Sequence, residues 1–327
     1  MHMFFLLFFS SSFSNFFFNH DLCYCMLMDD TFKHILPKIG LGTYNMTSKE
    51  AEVMTYESIK HGYRHIDTAA VYKNEDGVAK ALQRIFAETN IERKDVYITT
   101  KLWPGGLIKL DRVRNYKDTL KSFEKSLMRL NLEYVDLYLI HSPHAKTKRI
   151  DQWKSLIELK ESGKVKFIGV SNWGANHINE LKDNNLPLPD ANQIEIHPWS
   201  QKPDLVNYLK ENKINIIAYS SLVPLSTWRH KDGENSKKTT EMYEIGSSAN
   251  SPFKLLANKY NCSEPQFLLQ WAIQQNFAVL PKTIDLLRMR ENFDFNFFIE
   301  EDDMHYVSTL DLGDSVTWEY GDPLKVT

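Results

Sequence analysis

The chain has 327 residues, of which 43% are hydrophobic and 25% are charged, a composition typical of a globular protein with a large core. Its 39 Lys and Arg residues nearly balance its 42 Asp and Glu residues, which gives a formal net charge of −3. Collagen, coiled coil and wholesale disorder are therefore excluded, and no basic excess indicates a nucleic acid or an anionic membrane as partner.

The first 30 residues are the one compositional break. Eight phenylalanines alternate there with Ser and Asn. A signal peptide carries a basic residue before its apolar run, and a membrane span needs about 20 apolar residues; this stretch has neither. We expect residues 1–30 to be a disordered leader, a weak targeting segment or a stretch upstream of the true start, with Met26 or Met28 as alternative starts, and residues 31–327 to form the folded domain.

The three cysteines do not form a disulfide or metal-binding pattern. Cys23 and Cys25 are separated by one residue, and Cys262 stands alone in the body of the chain. A zinc site needs a second ligand pair, and a disulfide framework needs more cysteines in pairs. The sequence therefore predicts no metal site and a reducing compartment, which favours the cytoplasm.

From about residue 33 onward, short runs rich in β-branched and aromatic residues alternate with longer charged segments of helical period. The strand-like runs are Pro37–Gly42, Arg64–Asp67, Val96–Lys101, Val135–His141, Val165–Val170, Ala191–Glu195, Ile214–Tyr219 and Ala278–Pro281. The helix-like stretches are Lys49–His61, Glu75–Glu88, Arg112–Leu130, Asp151–Glu161, Asn176–Asp183, Lys202–Glu211, Ser263–Gln274 and Asp285–Phe293.

Eight strands alternating with eight helices predict an α/β protein with the (β/α)8 TIM barrel fold, whose usual length is about 250 residues. One domain is expected, because no linker rich in Pro, Gly or Ser divides the chain. A doubly wound sheet is the alternative, but Gly40-Leu-Gly42 lacks the third glycine of a dinucleotide fingerprint. The longest irregular stretch, Leu222–Pro252, is expected to be a lid, a binding loop or disorder.

Polar residues close several strand-like runs, which is where such a barrel carries its chemistry. Asp67, Lys101 and His141 each end a run, and Tyr72 follows in the loop after Asp67. A lysine ammonium can lower the pKa of a tyrosine from about 10 so that the phenol donates a proton near neutral pH, and a carboxylate keeps the lysine charged. A histidine can orient a carbonyl oxygen. Singly, each residue could be a cap, a surface residue or a structural strand end; together they indicate an acid–base site that protonates a carbonyl.

At these residues the sequence resembles the aldo-keto reductase family, from about residue 33 to the C-terminal region. The combination of motifs is far more specific than any one of them. In two places the chain departs from the family pattern, because Ala79 stands where a glycine is usual and Trp173 where Phe or Tyr is common. The motifs are GYRHIDTAAVYKNE at residues 62–75, GVSN at residues 169–172 and LPKTIDLLRMREN at residues 280–292.

The resemblance implies reversible, NADPH-dependent reduction of small aldehydes or ketones to alcohols by a catalytic tetrad with Tyr72 as general acid. It also implies that the dinucleotide lies extended across the barrel mouth. Two cations beside a 2'-phosphate favour NADPH over NADH, although Lys282 and Arg288 could equally form a solvated helix face. The tetrad is Asp67, Tyr72, Lys101 and His141. The residues implied to bind the cofactor are Thr43, Asp67, Ser171, Asn172, Gln193 and Tyr219, then Ser220 and Leu222 at the pyrophosphate, Lys282, Thr283, Arg288 and Asn292 around the adenosine 2'-phosphate, and Glu291 facing the adenine. The stretch 222–252 is expected to fold over the pyrophosphate.

The substrate pocket is where the family pattern is followed least. Tyr44 and Trp103 stand at positions of aromatic pocket walls, whereas Ser142 stands where many members carry a tryptophan, so we expect a more open wall there. The basic loop 143–150 either favours anionic carbonyl substrates or is a solvated turn. We therefore expect a permissive pocket for small carbonyl compounds.

Two other functions stay open from the sequence. The same fold also serves as a cofactor-sensing regulatory subunit with little turnover, which an intact tetrad disfavours. An unrelated barrel hydrolase with paired carboxylates has less support, because only Asp67 and Glu195 end strands as carboxylates. The chain is expected to be a monomer, without nucleic acid or stable membrane association, whose partner is a small carbonyl substrate.

Overall fold

The computed structural model describes residues 36–108, 110–225, 248, 250–313 and 322–327. The predictions for the leader and for most of the stretch 222–252 lie outside these described residues. No helix in the described ranges is both long enough and apolar enough to cross a membrane.

Eight parallel strands form one sheet in which each strand pairs with the next along the chain. Backbone hydrogen bonds from Gly40 N to Val279 O (2.9 Å) and from Val279 N to Lys38 O (2.8 Å) join the last strand to the chain before the first. This closure confirms the predicted barrel, and the doubly wound alternative is wrong. The strands are β1 (Leu41–Gly42), β2 (His65–Asp67), β3 (Tyr97–Leu102), β4 (Val135–Ile140), β5 (Val165–Ser171), β6 (Ala191–Glu195), β7 (Asn215–Tyr219) and β8 (Ala278–Val279).

Helices follow the strands on the outside of the barrel. Two of those described were not predicted: the seventh begins where the predicted irregular stretch ends, and the tenth follows the last barrel helix. The helices are α1 (Ser48–His61), α2 (Glu75–Glu88), α3 (Tyr116–Leu130), α4 (Arg149–Glu161), α5 (Ala175–Asp183), α6 (Pro203–Glu211), α7 (Pro252–Lys259), α8 (Glu264–Gln274), α9 (Leu286–Glu291) and α10 (Glu301–Ser308).

Local signals set the limits of α1, which leads into β2. Thr47 Oγ1 accepts a hydrogen bond from Glu50 N, and Glu50 Oε2 accepts one from Thr47 N, which is a capping box. The residue that follows the helix is Gly62, whose φ of 124° suits a residue without a Cβ atom. The next residues enter the barrel wall, so that Asp67 lies at the C-terminal end of β2.

Two layers of apolar side chains hold the barrel. The layer inside the strands contains Leu137, Leu139, Ile217, Ala278 and Leu280, and a larger layer packs between strands and helices. Polar side chains also stand at the C-terminal ends of β2 to β7, where the loops of such a barrel leave room for a site.

Candidate active site

The four residues of the predicted tetrad lie together at the C-terminal ends of β2, β3 and β4. Lys101 Nζ donates to Asp67 Oδ1 at 2.5 Å, to Thr68 O at 2.9 Å and to Tyr72 Oη at 3.4 Å. The rings of Tyr72 and His141 meet edge to face, with 5.6 Å between centroids. The Lys101 ammonium thus contacts both the Asp67 carboxylate and the Tyr72 phenol, and the phenol ring contacts the His141 imidazole.

Burial and charge set the protonation states of this group. Lys101 is fully buried, and burial lowers its pKa, while the Asp67 carboxylate beside it acts in the opposite direction. Burial and then the Lys101 charge lower the pKa of His141 well below 6.5, so its imidazole is neutral at neutral pH. Within the described residues, His141 Nδ1 has no hydrogen-bond partner.

The pKa of Tyr72 differs from the expectation. Burial, followed by the negative charge of Asp67, raises the pKa of Tyr72 well above 10, whereas the sequence led us to expect a lowering by Lys101. The physical reason is that the ammonium is already paired with Asp67 and reaches the phenol only at 3.4 Å. Tyr72 therefore keeps its proton at neutral pH, as a proton donor must.

A second group of polar side chains continues from the tetrad along β5, β6 and β7. Gln193 Nε2 donates to Asp67 Oδ2 at 2.8 Å, and Ser171 Oγ donates to Gln193 O at 2.8 Å. Asn172, with φ of 64°, donates to His141 O at 3.0 Å and accepts from Tyr219 Oη at 2.6 Å. This network links the tetrad to the ring of Tyr219 at the end of β7.

The remaining predicted cofactor residues lie after β7 and β8. Ser220 and Leu222 are half-buried just beyond Tyr219, and Asn292 is buried at the end of α9. Glu291 is half-buried, and its backbone oxygen accepts from Gln266. Thr43, beside β1, is buried and donates through Oγ1 to Asp67 O at 3.0 Å.

Lys282, Thr283 and Arg288 follow β8 as a separate cationic group. Lys282 and Arg288 are exposed and make no ion pair within the part of the chain that is described, while Thr283 accepts from Asp285 N at 3.0 Å. A lysine charge, a forked guanidinium and a hydroxyl are chemically suited to a phosphate. Together with the amides and the aromatic ring after β5 to β7, these residues fit a phosphorylated nicotinamide dinucleotide.

The predicted pocket walls have different environments. Tyr44 is 48% exposed and packs edge to face on Tyr72, at 5.1 Å between centroids. Trp103 is half-buried, with its ring 5.6 Å from that of His141. Ser142, predicted as the open side of the pocket, is fully buried, and its hydroxyl contacts His144 Nδ1 at 2.9 Å. The aromatic residues thus flank the tetrad, whereas Ser142 is enclosed by protein.

The basic loop 143–150 offers less positive charge than its sequence indicates. Arg149 is buried, and its Nε and Nη2 atoms pair with the two carboxylate oxygens of Glu180. Lys148 is paired with Asp151 at 3.0 Å. Two of its three cations are therefore neutralised by acidic partners. The structure favours the interpretation of this loop as a largely structural turn.

Two positioning residues lie within the first motif but were not among the predicted site residues. Asn74 Nδ2 donates to Thr43 O at 2.8 Å and Met46 O at 3.0 Å, and its Oδ1 accepts from Thr68 at 2.9 Å. Glu75 accepts from Thr100 at 2.7 Å. Their place directly after Tyr72 was the only sequence signal, because their partners come from other loops.

No group of acidic residues, His and Cys in the described ranges could hold a metal ion.

The model of the Aldo/keto reductase family matches residues 38–311. The chain is 35% identical to the glyoxal reductase of Bacillus subtilis over 86% of its own length and 91% of that protein. It is 34% identical to a methylglyoxal reductase of Yersinia pestis, over 85% and 90% of the two chains. A solved Bombyx mori aldo-keto reductase in complex with NADP matches 86% of this chain and 91% of its own, with a TM-score of 0.73 and 27% identity.

Proposed function

We propose that Tyr72 protonates the carbonyl oxygen of the substrate. The chain belongs to the aldo/keto reductase family and is an NADP(H)-dependent oxidoreductase that acts on carbonyl groups. The observation that carries the proposal is the position of Lys101 Nζ, which reaches both Asp67 Oδ1 and Tyr72 Oη. That arrangement places a positive charge where the phenolate forms.

In this mechanism each residue of the tetrad has one task. The dinucleotide, when bound, supplies the hydride. Tyr72 donates its proton to the carbonyl oxygen as negative charge develops there, and Lys101 stabilises the phenolate that results. Neutral His141 donates a hydrogen bond that orients the carbonyl. Asp67 holds Lys101 in place and is itself held by Gln193.

The residues after β5 to β8 are proposed to hold the cofactor in an extended form. Asn172 and Gln193 would bind the nicotinamide amide and Tyr219 would stack on the ring. Lys282 and Arg288 would neutralise the 2'-phosphate, which predicts a preference for NADPH over NADH. Both cations are exposed and unpaired in the described residues, so binding a phosphate there breaks no ion pair.

Small carbonyl compounds are the proposed substrates. The similar proteins are named as reductases of glyoxal and methylglyoxal, so α-oxoaldehydes are the first compounds to test. The aromatic faces of Tyr44 and Trp103 beside the tetrad favour compounds with an apolar or planar body. The protein is predicted to be a monomer, to bind no nucleic acid and to lie in the cytoplasm. Light scattering and cell fractionation would test the first and the last of these predictions.

The first experiment is steady-state NADPH oxidation with methylglyoxal by the wild type and by Tyr72→Phe. The variant keeps the ring but loses the proton, so we expect kcat to fall at least about 100-fold while the Kd for NADPH stays within about twofold. NADH serves as the cofactor control and Tyr306→Phe, a change on exposed α10, as the variant control.

A wild-type rate in Tyr72→Phe would contradict the role of Tyr72 as proton donor. Binding of NADPH without turnover of any aldehyde by the wild type would instead favour the regulatory-subunit alternative.

A further inference from the structure

A cavity of about 270 Å³ adjoins the candidate active site across Trp103. One side is formed by Ala70 and Val71, the two residues before Tyr72, and by Trp103. The indole of Trp103 also contacts the ring of His141, at 5.6 Å between centroids. Trp103 therefore borders both the cavity and the tetrad. We call this cavity the α3 pocket.

The rest of the lining of the α3 pocket is mostly cationic. It is formed by Arg114, Ser122, Lys125 and Arg129. The last three lie on one face of α3, because residues three and four apart on a helix are neighbours, and Arg114 belongs to the segment that leads into α3. None of the residues that line the pocket is acidic.

Nearby carboxylates neutralise only part of this charge. Arg129 pairs with buried Glu75 at 2.6 Å, whereas Arg114 approaches Asp111 only to 3.9 Å. Lys125 is exposed and forms no ion pair within the described residues. The pocket thus keeps positive charge next to an apolar wall, on a chain whose formal net charge is −3.

We propose that the α3 pocket binds a carboxylate carried by the carbonyl substrate at the end remote from the reacting carbonyl. This proposal rests on the proposed function, because it assumes that the carbonyl lies at Tyr72 and His141. The apolar side chains of Val71 and Trp103 flank the stem between the two ends. The Arg114 fork and the Lys125 ammonium supply charge-assisted hydrogen bonds to the carboxylate.

The test compares 4-carboxybenzaldehyde with its methyl ester, which has nearly the same shape but no charge. We expect the wild type to prefer the carboxylate in kcat/KM, and the double variant Arg114→Met with Lys125→Met to lower that carboxylate-to-ester ratio about tenfold, mainly through KM. Lys117→Met is the control, because it removes a positive charge from α3 outside the pocket, one against two in the double variant, and it should leave the ratio unchanged. Added salt should lower the wild-type ratio.

A ratio that is the same in the wild type and in the double variant would overturn the proposal, and so would an equal loss in Lys117→Met. A second measurement does not depend on turnover: calorimetric titration of 4-(hydroxymethyl)benzoate and its methyl ester into the NADP+ complex. Tighter binding of the carboxylate that disappears in the double variant supports the pocket even if neither aldehyde is reduced, a result that would count against the proposed function alone. Equal binding of the two compounds by the wild type overturns the pocket.

Discussion

At the scale of single residues, the site depends on one buried ion pair. Lys101 has no exposed surface and Asp67 has 3%, and the two groups meet at 2.5 Å. Removal of one partner from such a pair leaves a buried charge without compensation, which costs about 3–5 kcal/mol. Gln193 donates a hydrogen bond to the second carboxylate oxygen of Asp67. Asp67 is therefore bound at both oxygens, and it keeps the Lys101 ammonium beside Tyr72.

Asp67→Asn is expected to lower kcat about 100-fold and to change the shape of its pH profile. The carboxylate of Asp67 opposes the lowering of the Lys101 pKa by burial, so in the variant Lys101 loses its proton at a lower pH. The remaining rate should therefore begin to fall at a lower pH than the wild-type rate as the pH is raised. NADPH-dependent turnover measured as a function of pH checks this.

Asp302→Asn, the same change of charge at an exposed position of α10, serves as control for the Asp67 variant. A profile of Asp67→Asn that is lower than that of the wild type but parallel to it would assign Asp67 a purely structural role.

At the scale of secondary-structure elements, the packing of α1 on α2 fixes the loop that carries Tyr72. A Cβ atom added at Gly77 of α2 would lie 2.0 Å from Ser48 O and 3.2 Å from Glu52 N of α1. The two backbones therefore approach as closely as glycine permits. Asn74, just before α2, ties the same loop to the backbone after β1, so the helix pair and this clamp position Tyr72 together.

Gly77→Ala is expected to lower the free energy of unfolding by about 2 kcal/mol, although alanine is the better helix former by about 1 kcal/mol. The added methyl group meets the carbonyl of Ser48, which is backbone and can move only with α1. Urea unfolding of the variant and the wild type measures the change.

Ala79→Gly, two residues further along α2, is the matched comparison for Gly77→Ala and should cost about 1 kcal/mol through helix propensity. Unchanged or increased stability of Gly77→Ala would show that α1 can shift without loss.

At the scale of the whole molecule, the closed barrel buries histidines away from water. Burial is the first cause of the lowered pKa values of His65 and His197, which have no exposed surface. His65 is fully buried and contacts Thr99 Oγ1 through Nε2 at 2.9 Å. Because folding keeps these imidazoles neutral, the stability of the barrel is linked to pH.

Acidification below pH 6.5 is expected to destabilise the fold. The pKa of His65 falls from 6.5 to about 4 on burial, so between these values the unfolded chain binds a proton that the folded chain does not. The free energy of unfolding therefore decreases as pH falls, by about 3 kcal/mol from His65 over the whole interval. Urea unfolding at several pH values gives the slope, which should be smaller for His65→Gln than for the wild type.

His305→Gln, a change at an exposed position of α10, should leave the slope of stability against pH unchanged. Equal slopes for the wild type and His65→Gln would mean that His65 is not the group that titrates.

Much of the fold and of the candidate site followed from local sequence. The predicted runs agree with the eight strands to within a few residues, because periods of 2 and 3.6 are local properties. The polar residues that close strand-like runs placed Asp67, Lys101 and His141 at strand ends, with Tyr72 in the loop after Asp67. Helices α7 and α10 were missed, since both are short and lie outside the alternation of strand and helix that guided the prediction.

The sequence by itself determined the alternation that builds a barrel and predicted a candidate tetrad and a candidate cofactor group, because each depends on neighbours along the chain or on strand ends that a barrel brings together. Only the tertiary structure decided how charge is distributed. The pairing of Arg149 with Glu180, 31 residues away, removes positive charge from one loop, and the α3 pocket gathers Arg114 and Lys125 in one lining with Val71. The raised pKa of Tyr72 has the same origin, because desolvation and pairing depend on what lies nearby in space and not on what lies nearby in the chain.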